Sequence, residues 1–245
     1  MSLSIWIVGG RVYVGQHLCR DLPKFLNEKE FNFYATYNNN NVFENHPSIF
    51  PSIKKAFKIQ LENEYNAIID LIKTLKPAFI INPSAMSAVP QCQNNPELAY
   101  KVNDPSEWAA IAISECNCKR FIHFSTDMVY DGNHAPYSED DPANPISTMV
   151  YGVSKRRGEL NLLSNSKVDN KVAILRSALV IGKPPVCGNG RGSTLEWMIS
   201  SLKNATPQSP ASFFSNEFRS PVLADDIVRV IAKIIELDLS NSSQN

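Results

Sequence analysis

The chain has 245 residues, enough for one large domain or a domain with a small appendage, and its 24 basic side chains equal its 24 acidic ones. This balance gives no net field that favours nucleic acid or an anionic membrane, and no apolar run approaches the ~20 residues of a membrane span. The first residues lead directly into a strand pattern rather than a signal peptide, and the five cysteines are scattered. We therefore predict a cytoplasmic protein with reduced thiols, no metal site, no nucleic acid partner and no membrane partner.

Short apolar runs alternate with longer amphipathic segments along the first half of the chain. Turn-bounded apolar runs predict buried strands, and apolar residues at helical spacing predict helices. Strands are predicted at residues 5–8, 31–37 and 78–82, and helices at residues 14–26, 65–75 and 96–116, the last with a break near Pro105. Asparagines at 38–41 end the second strand, since asparagine favours turns over strand interiors.

The same alternation continues along the second half. Strands are predicted at residues 120–126 and 172–182, and helices at residues 150–163, 194–203 and 225–237. Between them, the segment 183–192 is a Gly/Pro-rich loop and the segment 204–221 is irregular and polar. Buried strands alternating with helices predict an α/β fold, a Rossmann-like doubly wound parallel sheet whose ligands lie beyond the carboxyl ends of the strands.

A glycine-containing turn follows the first predicted strand. In dinucleotide-binding loops the first glycine makes the tight turn, the second lets the backbone approach the pyrophosphate, and the third allows close helix–strand packing. Gly9 and Gly15 stand in the first and third positions, but Val12 stands in the second. Gly10 relieves crowding and Arg11 offers a cation to the phosphates. By itself this loop predicts either a cofactor site or a plain strand-to-helix turn.

The residues after the second strand leave the form of the cofactor open. An acidic residue there would bind the ribose hydroxyls of NAD, and an arginine would accept the extra phosphate of NADP. Asn38 follows Tyr37 instead, and asparagine selects neither form strongly. The predicted cofactor is therefore NADP or NAD.

A second constellation lies near the middle of the chain. Tyr151 and Lys155 are four residues apart on a predicted helix, so they share a face, and a lysine one turn from a tyrosine can lower the pKa of the phenol. The hydroxyl of Ser125 or Thr126, at the end of the preceding strand, can hold a substrate oxygen. This combination predicts a proton donor suited to carbonyl reduction with a nicotinamide hydride.

These motifs together resemble the extended short-chain dehydrogenase/reductases, and within them the dTDP-4-dehydrorhamnose reductase-like branch. The resemblance covers nearly the whole chain. It is carried by "IVGGRVYVG", "FSTDMVYDGNHAPYSEDDPANP", "YGVSKRRGE", "ILRSALVIG" and "FRSPVLADDI". The branch also contains the regulatory β subunit of methionine adenosyltransferase, which binds NADP and is known for assembly.

The resemblance implies roles for individual residues. Tyr151 would be the general acid, Lys155 would assist it and bind the nicotinamide ribose, and Thr126 or Ser125 would be the hydroxyl partner. Asp127 and Arg219 would contact the substrate. The implied cofactor-binding set is Gly9, Gly10, Arg11, Val12, Tyr13, Val14, Gly15, Asn38, Gln60, Leu61, Asn82, Pro83, Ser84, Asn103, Tyr151 and Lys155. Residues 1–182 would form the NAD(P)-binding domain, and residues 183–245 a partial, shortened substrate lobe whose 225–237 helix packs back on the core.

Several residues depart from the family pattern and keep two functions open. Val12 replaces a glycine, Gln60 replaces an aspartate, and "VPQCQ" at 89–93 replaces a more acidic stretch. The leading prediction is an NAD(P)-dependent reductase of a carbonyl on a small, nucleotide-sugar-like substrate. The alternative is a non-catalytic regulatory subunit that partners a methionine adenosyltransferase-like catalytic subunit. A nucleotide-sugar epimerase or dehydratase and a homodimer are further possibilities.

Overall fold

A computed structural model of the chain describes residues 2–27, 29–166, 168–186 and 193–242. The strands are β1 (Leu3–Ile7), β2 (Phe31–Tyr37), β3 (Ile53–Lys58), β4 (Phe79–Asn82), β5 (Arg120–Thr126), β6 (Val172–Ser177), β7 (Val180–Ile181) and β8 (Val222–Leu223). The helices are α1 (Tyr13–Phe25), α2 (Val42–Asn45), α3 (Tyr65–Leu75), α4 (Val89–Asn94), α5 (Pro96–Asn103), α6 (Ser106–Glu115), α7 (Val150–Leu163), α8 (Thr194–Lys203) and α9 (Ala224–Ser242).

Six of the strands form one parallel sheet in the order β3-β2-β1-β4-β5-β6. The strand order reverses between β1 and β4, and this is where open α/β sheets bind ligands, beyond the carboxyl ends of the strands. The glycine loop follows β1, and Asn82 ends β4, so both lie at this switch point. The predicted fold class is therefore confirmed.

Helices cover both faces of the sheet. Alternate side chains of residues 5–8, in and just after β1, point to opposite faces, and both sets are apolar and buried. Ile5 and Ile7 pack with α1 and α9 in one apolar cluster, and Trp6 and Val8 pack with α3 and α6 in the other. The apolar face of α9 contributes to the first cluster through Ile227, Val228, Ile231, Ala232 and Ile235. This last helix thus lies against the sheet beside α1.

Three predictions of strands were wrong. The strand Ile53–Lys58 was missed, because its alternation is weak and two lysines interrupt it, so the predicted third strand is β4. The predicted strand 172–182 is two strands, of which β7 leaves the main sheet and pairs with β8. The two-residue strand β8 was not predicted, because it follows directly on the irregular segment 204–221 and is too short to show a period.

Other boundaries are confirmed or shift slightly. The predicted helix 96–116 is broken at Pro105 into α5 and α6, because proline removes a backbone donor and disfavours helix at the preceding residue. The final helix extends to Ser242 rather than 237. Residues 187–192 of the predicted Gly/Pro-rich loop lie outside the described residues. Within the described ranges, none of the helices is both long and apolar enough to cross a bilayer.

Candidate active site at the sheet switch point

The glycine loop is held tightly by its neighbours. Gly9 adopts a positive φ of 71°, which favours glycine, and its N–H donates to Thr36 Oγ1 at 2.9 Å. The N–H of Gly10 donates to the carbonyl oxygen of Thr36 at 2.7 Å. A Cβ at Gly15 would overlap the carbonyl oxygen of Gly9, and a Cβ at Gly9 would overlap the Ser84 hydroxyl. The close helix–strand approach of a dinucleotide cradle is thus present.

Val12 stands at the start of α1 with ordinary extended backbone, φ −65° and ψ 159°. Its conformation therefore does not require glycine, and its side chain is 38% exposed at the rim of the loop. Arg11, Tyr13 and Val14 are half-buried around it. Tyr13 donates its hydroxyl to the carbonyl oxygen of Gly182 at 2.6 Å, which joins the loop to the segment after β7.

The predicted adenine-side residues follow neighbouring strands at the same edge of the sheet. Asn38 comes directly after β2, and Gln60 and Leu61 come just after β3. The N–H of Ile59 donates to the carbonyl oxygen of Tyr37 at 2.9 Å, which keeps these two strand ends together. All three predicted residues are half-buried, so their side chains remain partly accessible.

Tyr151 lies in the first turn of α7 and hydrogen bonds with Thr126 at the end of β5. Desolvation raises the pKa of Tyr151 to about 12, and the Thr126 hydrogen bond and the Arg219 charge oppose this rise. The sequence predicted a pKa lowered by Lys155, and the structure differs because desolvation dominates here. A phenol that keeps its proton at neutral pH is a proton donor.

Asp127 and Arg219, the predicted substrate contacts, form an ion pair. Arg219 donates from Nε to one carboxylate oxygen of Asp127 and from Nη2 to the other, both at 2.9 Å. Because both charges bear on the pKa of Tyr151, the pair belongs to the same site. It ties the segment before β8 to the turn after β5.

Ser125 does not share the site with Tyr151. Its side chain donates a hydrogen bond to Glu159, a fully buried carboxylate on α7 that also pairs with Arg156 and Arg176. Successive strand residues point to opposite faces, so Ser125 and Thr126 cannot both face Tyr151. The prediction of Ser125 as an alternative holder of the substrate oxygen is corrected, and Thr126 is the hydroxyl beside the tyrosine.

Lys155 is fully buried and lies 3.2 Å from Nε2 of His123, from Nζ to ring nitrogen. Nδ1 of His123 lies 3.3 Å from the side-chain nitrogen of Asn82, the residue paired with it on β4. Burial lowers the pKa of Lys155 to about 7, although the charge of Glu159 opposes this. His123 had no functional role in the sequence predictions. The sequence feature that could have indicated a role for His123 is its position on β5, opposite Asn82 on β4.

Asn103 anchors the loop that follows β4. Its side chain donates to Ser154 Oγ at 2.9 Å and accepts from the N–H of Met86 at 2.8 Å. Pro83 is half-buried in this loop, and Ser84 reaches the glycine turn. Asn103 thus holds the loop against α7 and touches neither Tyr151 nor Lys155 through these bonds.

One cluster of potential metal ligands occurs among the described residues, formed by His17, Asp21 and Asp225. Nδ1 of His17 lies 3.7 Å from Asp21 and 3.8 Å from Asp225. Asp21 already accepts hydrogen bonds from Arg20 and Lys24, at 2.6–2.8 Å. Two cations thus neutralise Asp21, which leaves His17 and Asp225 as the members of this cluster that could still receive an ion.

The chain is similar in sequence to curated proteins from different organisms. The dTDP-4-dehydrorhamnose reductase of Aggregatibacter actinomycetemcomitans is 31% identical over 171 residues, which are 69% of this chain and 53% of that protein. Subunit beta of methionine adenosyltransferase 2 from Danio rerio is 24% identical over 178 residues, 73% of this chain and 51% of that protein.

A solved structure shares the fold. The dTDP-4-dehydrorhamnose reductase of Bacillus anthracis, in complex with NADP, superposes with a TM-score of 0.72 at 22% identity, covering 96% of this chain and 71% of that one. The chain spans about half the length of the curated relatives it matches. Residues 3–245 match the RmlD substrate binding domain family, and the chain belongs to that family.

Proposed function

We propose that this protein is an NAD(P)-dependent reductase of a carbonyl on a nucleotide-sugar-like substrate. The observation that carries the proposal is Tyr151 hydrogen-bonded to Thr126, at the same edge of the sheet as the glycine loop. The match to dTDP-4-dehydrorhamnose reductases supports this substrate class. Residues 1–182 would bind the dinucleotide, and residues 183–245 would supply part of the substrate lobe through Arg219.

The chain's own residues divide the work of the reaction. A bound nicotinamide dinucleotide would supply the hydride to the carbonyl carbon. Tyr151 would donate its phenolic proton to the carbonyl oxygen as its C=O double bond becomes a single bond. Thr126 would orient the phenol through the hydrogen bond between them, and Arg219, held by Asp127, would offer its guanidinium to the substrate.

Replacing the proton donor tests the proposal. We expect the wild-type chain to oxidise NADPH or NADH in the presence of dTDP-4-dehydrorhamnose, and Tyr151→Phe to lower kcat by about 10²–10⁴-fold, the usual worth of a general acid. Loss of absorbance at the nicotinamide band measures the rate. Tyr65→Phe, at a 40% exposed tyrosine on α3, is the matched control and keeps full activity. Unchanged kcat in Tyr151→Phe, or no oxidation by the wild type, contradicts the proposal.

Val12 tests whether the cofactor loop is competent. If its side chain crowds the pyrophosphate, Val12→Gly removes an overpacked contact of ~1–3 kcal/mol, which is roughly 5- to 150-fold in affinity. Because the backbone at Val12 is ordinary and its side chain is exposed, we expect measurable binding by the wild type. We expect tighter binding by the glycine variant, because it has no side chain beside the pyrophosphate. Isothermal titration with NADPH and NADH measures both forms. Absence of binding by either variant argues against a dinucleotide site.

A second candidate function is a regulatory subunit without turnover. The match to methionine adenosyltransferase 2 subunit beta, together with Val12 in the glycine loop, favours it over an epimerase or a dehydratase. The catalytic subunit of a methionine adenosyltransferase would then co-elute with this chain in size-exclusion chromatography. Stable co-elution with no NAD(P)H oxidation selects this candidate, and separate elution excludes it.

A further inference from the structure

The buried row Asn82–His123–Lys155 has defined donors and acceptors. The backbone N–H of Ser84 donates to Oδ1 of Asn82 at 3.2 Å. Because a backbone N–H can only donate, the oxygen of Asn82 must face Ser84, and its NH₂ group must face the histidine ring. Nδ1 of His123 therefore accepts a hydrogen bond from Asn82 at 3.3 Å.

The protonation of the imidazole follows from this direction. Burial, the largest cause, holds the pKa of His123 well below its ordinary value, so the ring is neutral. A neutral imidazole carries one proton, and with Nδ1 accepting, that proton sits on Nε2. Nε2–H points at Nζ of Lys155, 3.2 Å away. An ammonium there would set N–H against N–H, whereas a neutral amine accepts the bond through its lone pair.

We infer that His123 is a positioning residue that holds Lys155 as a neutral amine in the cofactor-free protein. The charged groups near the lysine are Glu159, one turn along α7, and Arg176 and Arg156, which neutralise that carboxylate. Asn82 faces the row from β4 and carries no charge. Because Arg156 and Arg176 already pair with Glu159, that carboxylate offsets only part of the cost of burying a charged lysine.

A neutral Lys155 bears on cofactor binding, and this step rests on the proposed function. A lysine must be cationic to lower the pKa of a neighbouring phenol, yet it is neutral in the empty site. The phosphates of a dinucleotide add negative charge, which favours the ammonium form. Binding should therefore take up a proton, and affinity for NADPH should fall as the pH rises above about 7.

Nuclear magnetic resonance on the ligand-free full chain tests the inference without any substrate. The chain has four histidines, so long-range imidazole ¹H–¹⁵N spectra contain few signals. The signal that is absent from the spectrum of His123→Gln belongs to His123. We expect the Nε2-protonated tautomer of His123 across pH 6–9, and a Lys155 side chain that titrates near pH 7. An Nδ1-protonated tautomer, or a Lys155 ammonium that persists at pH 9, overturns the inference.

The variant supplies a second, independent readout. Glutamine can turn either its oxygen or its NH₂ group towards Nζ, so the bias for a neutral amine is lost and the proton affinity of Lys155 should rise at least about tenfold. His134→Gln, at an 81% exposed side chain, is the matched control and leaves the titration unchanged. An unchanged titration in His123→Gln overturns the inference, and if that variant does not fold, the wild-type tautomer decides. Failure of NADPH to bind would refute the proposed function but not this result.

Discussion

At the scale of single residues, the most consequential charged group outside the proposed chemistry is Glu159. It is fully buried on α7, and it accepts hydrogen bonds from Arg156 at 2.8 Å and from Arg176 at 2.9 and 3.0 Å, as well as from Ser125. Because Ser125 lies on β5 and Arg176 lies on β6, this one carboxylate joins α7 to two strands. It thereby fixes the helix that carries Tyr151 and Lys155.

Removing the charge of Glu159 should destabilise the fold. Breaking a buried ion pair from one side costs about 3–5 kcal/mol, and here the half-buried Arg156 and Arg176 would lose the carboxylate that neutralises them. We expect Glu159→Gln to lower the free energy of unfolding in urea by that amount. Glu236→Gln, which removes an exposed ion pair with Lys233, is the control and should change it by about 0–1 kcal/mol. Equal effects in the two variants would contradict the structural role of Glu159.

The pH dependence of this contribution has a defined sign. Burial raises the pKa of Glu159, but hydrogen bonds from Arg176, Ser125 and Arg156 outweigh it and hold the pKa below its ordinary 4.5. A carboxylate with a depressed folded pKa stabilises the protein above the unfolded pKa, and the stabilisation is lost as the pH falls through the folded value. Urea denaturation between pH 5 and pH 3 should therefore show a steeper loss of stability in the wild type than in Glu159→Gln.

At the scale of elements, α9 shows how an amphipathic helix attaches to the sheet. Ile231 and Ile235 are completely buried against α1 and the sheet, whereas Val230 is 48% exposed. The far end of the helix is tied down by Asp238, whose carboxylate accepts from Arg120 Nε at 2.8 Å. Helical spacing thus selects one face for burial, and an ion pair fixes its position along β5.

Two neighbouring substitutions on α9 distinguish the effect of losing a buried side chain from the effect of helix propensity on stability. Ile231→Ala leaves a cavity in the core and should lower the free energy of unfolding by about 2–5 kcal/mol. Val230→Ala, on the exposed face, should stay within about 0.5 kcal/mol of the wild type. Chemical denaturation followed by circular dichroism measures both. Similar losses in the two variants would mean that α9 does not pack as described.

At the scale of the whole molecule, the chain has a well-packed sheet domain and a more open region around α8. The two tryptophans of the sheet domain, Trp6 and Trp108, are buried against each other with ring centroids 5.9 Å apart. Trp197 on α8 is 58% exposed and contacts Phe213 edge-on. Further exposed apolar side chains on α8 and in the segment that follows it are Leu195, Ile199, Leu202, Phe214 and Phe218. Trp197 therefore lies outside the apolar core.

The difference in exposure predicts a fluorescence result. Iodide quenches exposed indoles, so one component of the tryptophan emission should be quenched in the wild type and absent in Trp197→Phe. Trp108→Phe, which removes a buried ring, should leave the quenchable component in place. The fraction accessible to iodide in native protein measures the effect. If Trp197→Phe retains the quenchable component, α8 is covered in solution.

Local patterns in the sequence predict the α/β class and the boundaries of β2, β5 and α3, because these elements have regular apolar residues and clear turn residues. It also identified the glycine turn, since a positive φ and crowded Cβ positions leave a recognisable spacing at Gly9 and Gly15. Apolar periodicity and local steric requirements depend on residues close together in the sequence, so they can be predicted without knowledge of the fold. The weak alternation of β3 could not be read in this way.

Which polar groups contact one another depends on the tertiary structure. Ser125 and Thr126 are adjacent in sequence, yet strand alternation gives one to Glu159 and the other to Tyr151. Asn82 and His123 are 41 residues apart and are joined only by the β4–β5 register. Pairings of this kind depend on strand order, face and burial, which local patterns do not encode. The protonation state that we infer for Lys155 follows from these contacts. It could therefore not be predicted from the spacing of Tyr151 and Lys155 alone.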